Sequence, residues 1–496
     1  MLFGAALRIL RYLADRSLWL DECYLANSVL TYSFKQLLTT PLMHWQAAPP
    51  GFLLLQKSAI RMLGTSEYAL RIVPLLAGLA SIPLFFGIVR RILAPTAQVL
   101  ALALFVTLDP LIYYSAEAKQ YGLDVTVALA ILFTALRWRE RPSGWRPPLA
   151  LAAVGVLGII CSHPAIFTLA GVAIVLSIDF LRDGKYLPAT RIAAIGILWA
   201  GLFVLNYLEF LRPLMHHSGL TAYWAADYMP HDPLGAIKWL GAALYRLYSD
   251  YATMWLPLVD TAILATLIGL VSFWRRDRAA LALLMLPLLL TLGAAIAHGY
   301  PFGSRLVLFL VPPILILIGA GAAMIWESVL PGRRFIAALI LLSIYLPTAA
   351  RDVFYVIVPQ KREEIRPVLA YIRDHKQPGD VLYVFYISEV PFRYYENRFG
   401  LTPDRFGLAD MPTTFGQTGE RDPSLYRADL GRLRGKGRVW VLITHPRALG
   451  GIDEEQLFPQ ILGQWGKPID HAQAFNASAT LYDMGESGTG ASPVGG

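Results

Sequence analysis

Long apolar runs separated by short connections fill most of the first 350 residues of this chain. A helix needs about 20 predominantly apolar residues to cross a bilayer. Such runs fall near 68–89, 97–116, 121–138, 148–163, 165–181, 191–210, 257–274, 279–298, 305–326 and 333–350. The opening stretch, Met1 to Leu7, is too short to span unless its helix continues through Arg8 and Arg11. With that abbreviated helix the pattern predicts eleven spans. No small-residue cleavage site follows the opening stretch, so no cleavable signal peptide is visible.

After Arg351 the apolar runs shorten and charge rises. Residues 363–375 have helical periodicity, and 424–433 and 454–465 read as further helices. DVLYVFYI at 380–387 reads as a buried strand, RVWVLIT at 438–444 as a second, and 479–484 as a short third. Strands alternating with helices predict a small α/β domain over 351–484. The Gly/Ser-rich end, 485–496, reads as a disordered tail.

Composition agrees with this division. Of 496 residues, 56% are hydrophobic and only 16% charged, with a mean hydropathy of +0.49. Soluble globular proteins carry about 25% charged residues, so a soluble multidomain enzyme is excluded. Lys and Arg number 43 against 35 Asp and Glu, a formal charge of +8. That modest excess calls for no nucleic-acid partner. Two cysteines, Cys23 and Cys161, exclude a disulfide scaffold and a four-thiolate zinc site, and free thiols are expected. There is no P-loop, GxGxxG, HExxH or internal repeat.

The placement of the charges is more telling than their sum. Arg90 and Arg91, then Arg137 to Arg146, Arg182 to Arg191, Arg275 to Arg278, and Arg333 and Arg334 mark every second connection as basic. The positive-inside rule puts these connections in the cytoplasm. The first loop (15–67), residues 114–121, 162–164, 211–256 and 298–305, and everything after about 351, then face the other side. The fold expected is a multi-pass α-helical membrane domain over 1–350 with a small extracytoplasmic C-terminal α/β domain, in the plasma (inner) membrane.

The unusual polar residues collect on that outer side. Trp19-Leu20-Asp21-Glu22 sets two adjacent carboxylates beside an aromatic and apolar pair. A partly desolvated carboxylate there suits a general base. Asp21 as a cap on a helix beginning near Cys23, with Glu22 answering its dipole, fits equally well. His44 precedes a rigid Pro49-Pro50-Gly51 and reads as a metal ligand, a proton shuttle or a surface polar residue. Between two spans, Tyr113 to Tyr121 holds Glu117 and Lys119, with Asp109 and Asp124 slightly deeper. Charges at membrane depth are costly and tend to be paired or functional. The last such segment, His298 to Arg305, breaks the chain with Gly and Pro, holds Tyr300, and restarts it beside Arg305. An Arg at a helix start can hold a phosphate; a tight turn with an interfacial anchor fits as well. His163, His216 and His217 face the same side, each weak alone. Carboxylates with cations at one surface suit a lipid-phosphate substrate.

These segments resemble the membrane glycosyltransferases of the GT-C class, in the group of protein O-mannosyltransferases, lipid A aminoarabinose transferase and lipopolysaccharide core galacturonosyltransferases. The likeness rests on Leu18-Trp19-Leu20-Asp21-Glu22, Ala48-Pro49-Pro50-Gly51-Phe52, Ala69-Leu70-Arg71 through Pro74, and Tyr114-Ser115-Ala116-Glu117-Ala118-Lys119-Gln120-Tyr121. It covers about residues 15–320 and the plan of spans followed by an outer domain. It implies a polyprenyl-phosphate sugar donor and inverting transfer to a lipid, glycan or protein acceptor on the periplasmic face. Asp21 would act as general base with Glu22 in support. Lys119 and Arg305 would meet the donor phosphate, and His44, Glu117, Tyr121 and Tyr300 would line the substrate site. Members of the aminoarabinose-transferase type carry Glu-Lys, linked to metal and phosphate binding, where this chain has Ala47-Ala48. Lys119 stands where many relatives have Arg. The residues do not decide whether a divalent metal is required. A polytopic transporter or lipid flippase is the alternative, and a non-catalytic membrane scaffold a third reading. Asn476-Ala477-Ser478 also matches a glycosylation acceptor, a short and weak pattern.

Overall fold

The computed structural model describes residues 1–215, 218–251, 258–328, 335, 346, 349–351, 353–402, 413–416, 423–449 and 452–486. His216, His217, most of the expected span 333–350 and all but the start of the expected tail 485–496 lie outside the described residues. The chain divides into two compact units, Met1–Ala14 with Tyr32–Pro359 and Asp15–Thr31 with Gln360–Gly496. The expected first outer loop, 15–67, is therefore split after Thr31. Its first part packs with the C-terminal unit and its remainder with the helical unit.

In the helical unit, six helices among the described residues are long and apolar enough to cross a membrane. They are Glu67–Ile92, Tyr121–Glu140, Ala165–Arg182, Tyr186–Leu211, Arg278–Ile296 and Ser304–Ser328. The pair Pro95–Thr107 and Asp109–Ala116, bent by 55°, makes a seventh if counted as one span. Arg146–Cys161 is a shorter apolar helix, and Leu258–Arg276 is helical throughout. The starts are chemically marked. Ser66 accepts from the Ala69 amide at 3.3 Å, Pro95 occupies the first turn of its helix, and Asp277 accepts from the Ala280 amide at 2.9 Å.

The break near Leu108 has a local cause. In an unbroken helix the amide of residue 110 would reach the Val106 carbonyl, but Pro110 has no N–H. The Arg8 guanidinium meets that freed carbonyl, Val106 O, at 3.4 Å and its neighbour Phe105 O at 3.4 Å. The opening helix, Leu2–Leu13, thus runs on through both arginines. Arg11 likewise donates to Tyr355 O at 3.0 Å.

Charged residues at neighbouring helix ends pair. Arg139 binds Asp179 at 2.8 Å and Asp277 at 2.5 and 2.9 Å. Arg91 approaches Glu140 at 3.2 Å. These residues belong to connections predicted to share the basic side.

The C-terminal unit carries a five-stranded sheet in the order β2-β1-β3-β7-β6. Its strands are β1 (Val381–Val384), β2 (Thr413–Phe415), β3 (Lys436–Thr444), β6 (Lys467–Ala474) and β7 (Ala477–Glu486). A small hairpin, β4 (Ala448–Leu449) with β5 (Ile452–Asp453), stands apart from it. β2, β1 and β3 are parallel, while β3, β7 and β6 are antiparallel. Helix Ile365–His375 buries Ile365, Val368, Leu369 and Ile372 with Leu382, Trp440, Leu442 and Leu481 of the sheet. Asp380 is buried but satisfied, by Arg438 Nε at 2.7 Å, Trp440 Nε1 at 2.9 Å and the Gln377 amide at 3.0 Å. Asn476, of the sequon-like triplet, turns the β6–β7 hairpin and donates to Arg362 O at 2.8 Å.

Candidate functional site

Three of the four segments singled out in the sequence meet within the helical unit. Their seat is the turn Tyr114–Ala116 leading into helix Tyr121–Glu140. A side chain at Gly78 would collide with Ser115, and one at Gly122 would come within 2.7 Å of Tyr114 O. Both glycines let this turn sit close against two helices. Glu117 and Lys119 are both buried, and the Lys119 amide closes on Glu117 O at 2.7 Å.

From this turn Lys119 Nζ donates to Gln46 Oε1 at 2.7 Å, and Gln120 Nε2 to Ala47 O at 3.1 Å. The segment from His44 to Gly51 is thereby tied to residues 119–120. Ala47 enters this tie through its backbone carbonyl. On the other side, Arg305 Nε donates to the Tyr121 hydroxyl at 2.8 Å, its guanidinium lying 5.4 Å from the ring centre. Arg305 stands in a 3-10 turn, Ser304–Leu310, rather than in an α-helical first turn. Lys119 and Tyr121, two positions apart on this turn, are thus tied to side chains 73 and 184 positions away.

Tyr300 packs its ring on Phe167 at 5.2 Å and donates its hydroxyl to Leu306 O at 2.9 Å. Burial pushes that hydroxyl well above its ordinary value, and Asp124, Tyr121 and Tyr228 add to the rise. His298 stacks on Tyr228 at 5.1 Å and His231 at 4.8 Å. His44 is exposed on a tight turn with φ of 57°. Both ring nitrogens of His163 are shut from solvent without a hydrogen-bond partner among the described residues. Nowhere among the described residues do three His, Cys, Asp or Glu side chains come together to hold a metal ion.

Asp21 and Glu22 belong to the C-terminal unit. Their helix begins at Leu20, not near Cys23, so Asp21 lies inside its first turn and is not the cap. Glu22 takes that work. It is wholly buried and accepts from the Trp19 amide at 3.4 Å, the return half of a capping box. Asp21 is half-buried. Burial raises the nearby Tyr24 hydroxyl, while Arg447 opposes the rise and Asp21, Glu363 and Tyr386 increase it. Arg447, Glu363 and Tyr386 were not singled out as site residues. More than 300 positions separate them from Asp21 and no motif marks them. Gln46 was missed for the same reason, being a neutral residue whose only signal is its distant partner.

Solved structures share the fold. ArnT from Cupriavidus metallidurans aligns over 97% of this chain and 97% of its own, at 12% identity. The TM-score is 0.50 for its apo state and 0.51 for the state bound to undecaprenyl phosphate. An Archaeoglobus fulgidus oligosaccharyltransferase, tethered with an acceptor peptide containing the NVT sequon, aligns over 98% of this chain and 73% of its own, at 10% identity and a TM-score of 0.51. Both are GT-C glycosyltransferases, and the chain has a GT-C-like fold. No protein-family profile matches it, and no curated protein does.

Proposed function

We propose that this chain with a GT-C-like fold is an integral-membrane glycosyltransferase. It moves a sugar from a polyprenyl-phosphate donor to an acceptor hydroxyl of a lipid, glycan or protein, with inversion, on the periplasmic face. The carrying observation is two cations tied to one short stretch, Lys119 buried in the turn just before Tyr121 and Arg305 bonded to the Tyr121 hydroxyl. Cations at an expected membrane surface suit a phosphate that gains charge as its bond breaks. The undecaprenyl phosphate bound by ArnT supports this choice of donor.

In the reaction the anomeric carbon–oxygen bond breaks and polyprenyl phosphate leaves. The acceptor oxygen forms the new bond from the opposite face, and Asp21 takes its proton. Glu22 supports Asp21 by closing the turn that carries it. Lys119 and Arg305 meet the leaving phosphate, with Glu117, Tyr121 and Tyr300 around them. Exposed His44 has no step of its own here.

Mass spectrometry of lipid extracts tests the reading. Cells making Asp21→Asn should accumulate a glycosylated polyprenyl phosphate that wild type consumes, with the protein folded and at normal abundance. Matching extracts and matching surface glycans would sink it. One observation favours the rival transporter or flippase, the broken span with Asp109 at its break. Substrate exchange across vesicles without a change in glycan mass would support that rival.

A further inference from the structure

Four successive backbone amides lead into the helix that carries Asp21, and each ends on a side-chain oxygen. The Ser17 amide reaches Glu364 Oε2 at 3.5 Å, and the Leu18 amide reaches the Tyr395 hydroxyl at 2.8 Å. The Trp19 amide reaches Glu22 Oε2 at 3.4 Å, and the Leu20 amide reaches Glu363 Oε2 at 3.3 Å. Glu363, Glu364 and Tyr395 are all buried. The Ser17 hydroxyl adds a 2.9 Å bond to Glu364, and Arg366 donates to Ser17 Oγ at 3.2 Å and to the Asp15 carboxylate at 3.1 Å. Further along, Asn27 Nδ2 donates to Val390 O at 3.0 Å.

Most helices open on a cap from their own sequence. Here the residue before the helix is Trp19, which has no side-chain acceptor, and three of the four amides rely on residues more than 340 positions away. Burying two adjacent carboxylates is costly unless they are hydrogen-bonded. Oε2 of each bonds to this one segment, with His445 Nδ1 also 3.6 Å from Glu363, while Glu363 Oε1 is buried without a hydrogen-bond partner among the described residues.

We infer that Glu363, Glu364 and Tyr395 are positioning residues for the proposed transfer, fixing the helix start so that the Asp21 carboxylate is aimed at the acceptor. The C-terminal unit then carries the general base. This inference rests on Asp21 being that base. Asp21 lies one residue beyond Leu20, so a shift at the Leu20 amide moves its Cα directly.

The test uses full-length protein in membranes. Tyr395→Phe removes one acceptor with little change of shape, and Glu363→Ala removes another. Glu363→Gln keeps an acceptor oxygen. Peptides spanning 15–25 are followed by hydrogen exchange, and turnover per folded molecule by loss of the glycosylated lipid. Exchange in 15–25 should quicken in Tyr395→Phe and Glu363→Ala, with turnover down about tenfold or more, since small misplacements can cost about 100-fold. The loss should fall on kcat, with the donor KM near wild type, and Glu363→Gln should restore most of it. If Glu363→Ala is poorly folded, Tyr395→Phe alone decides. Turnover within about twofold of wild type despite faster exchange overturns the inference, as does unchanged exchange. Asp21→Asn is run alongside. If it stays active the functional reading itself fails. If it is inactive while the clamp variants turn over normally, only the positioning role fails.

Discussion

Glu363 is buried, and burial pushes its carboxyl above the ordinary range, against the opposing pull of His445, Thr444 and the Leu20 amide. The folded unit therefore disfavours its ionised form. The stability linked to this group is complete below the ordinary carboxylate pKa and is lost as pH rises through the raised value. Glu363→Gln removes that dependence. Its melting temperature relative to wild type should climb from acidic to neutral buffer, and a constant difference would count against the assignment. Arg8 illustrates the same economy in the helical unit. A buried guanidinium is costly, and carbonyls at the break before Pro110 accept hydrogen bonds from it. Both arginines in the opening stretch were visible in the sequence as an interruption. Their partners, Val106, Phe105 and Tyr355, were not, because they come from elements folded in from far along the chain.

At the level of elements, Arg139 binds helix Ala165–Arg182 through Asp179 and the start of helix Arg278–Ile296 through Asp277. Arg139→Ala should destabilise the helical unit by about 2–3 kcal/mol, between the costs of exposed and buried pairs. Thermal unfolding in detergent measures this, and a variant melting with wild type would remove the network from the account. Span positions were legible because a membrane requires a long apolar run whatever its neighbours. Span integrity was less so: 97–116 reads as one run, yet Pro110 breaks it. In the C-terminal unit the apolar strands β1, β3 and β7 were expected. β6 was missed, since Lys467 to Ala474 is largely polar and exposed, and pairing with β7 makes it a strand. β2, three half-buried residues, carried too little pattern to be recognised.

For the whole molecule, the division of the chain is the main surprise. A break at residue 350 looked natural because composition changes there, yet Asp15–Thr31 groups with the C-terminal unit. A chain ending at residue 350 retains all the expected spans but removes the partners of 15–31. It should show no transfer by lipid mass spectrometry, and 15–31 should be cleaved readily in limited proteolysis. Wild-type turnover from that truncation would show that the grouping has no functional weight.

What the sequence determined by itself was whatever depends on neighbours along the chain: apolar runs, alternate basic loops, and the short segments around Asp21, Lys119 and Arg305. What tertiary structure decided was partnership. Lys119 with Gln46, Arg305 with Tyr121, and the Leu20 amide with Glu363 join residues 73, 184 and 343 positions apart. Hydrogen bonds and buried charges are satisfied by whatever the fold brings within about 3 Å, and a linear pattern holds no record of that distance.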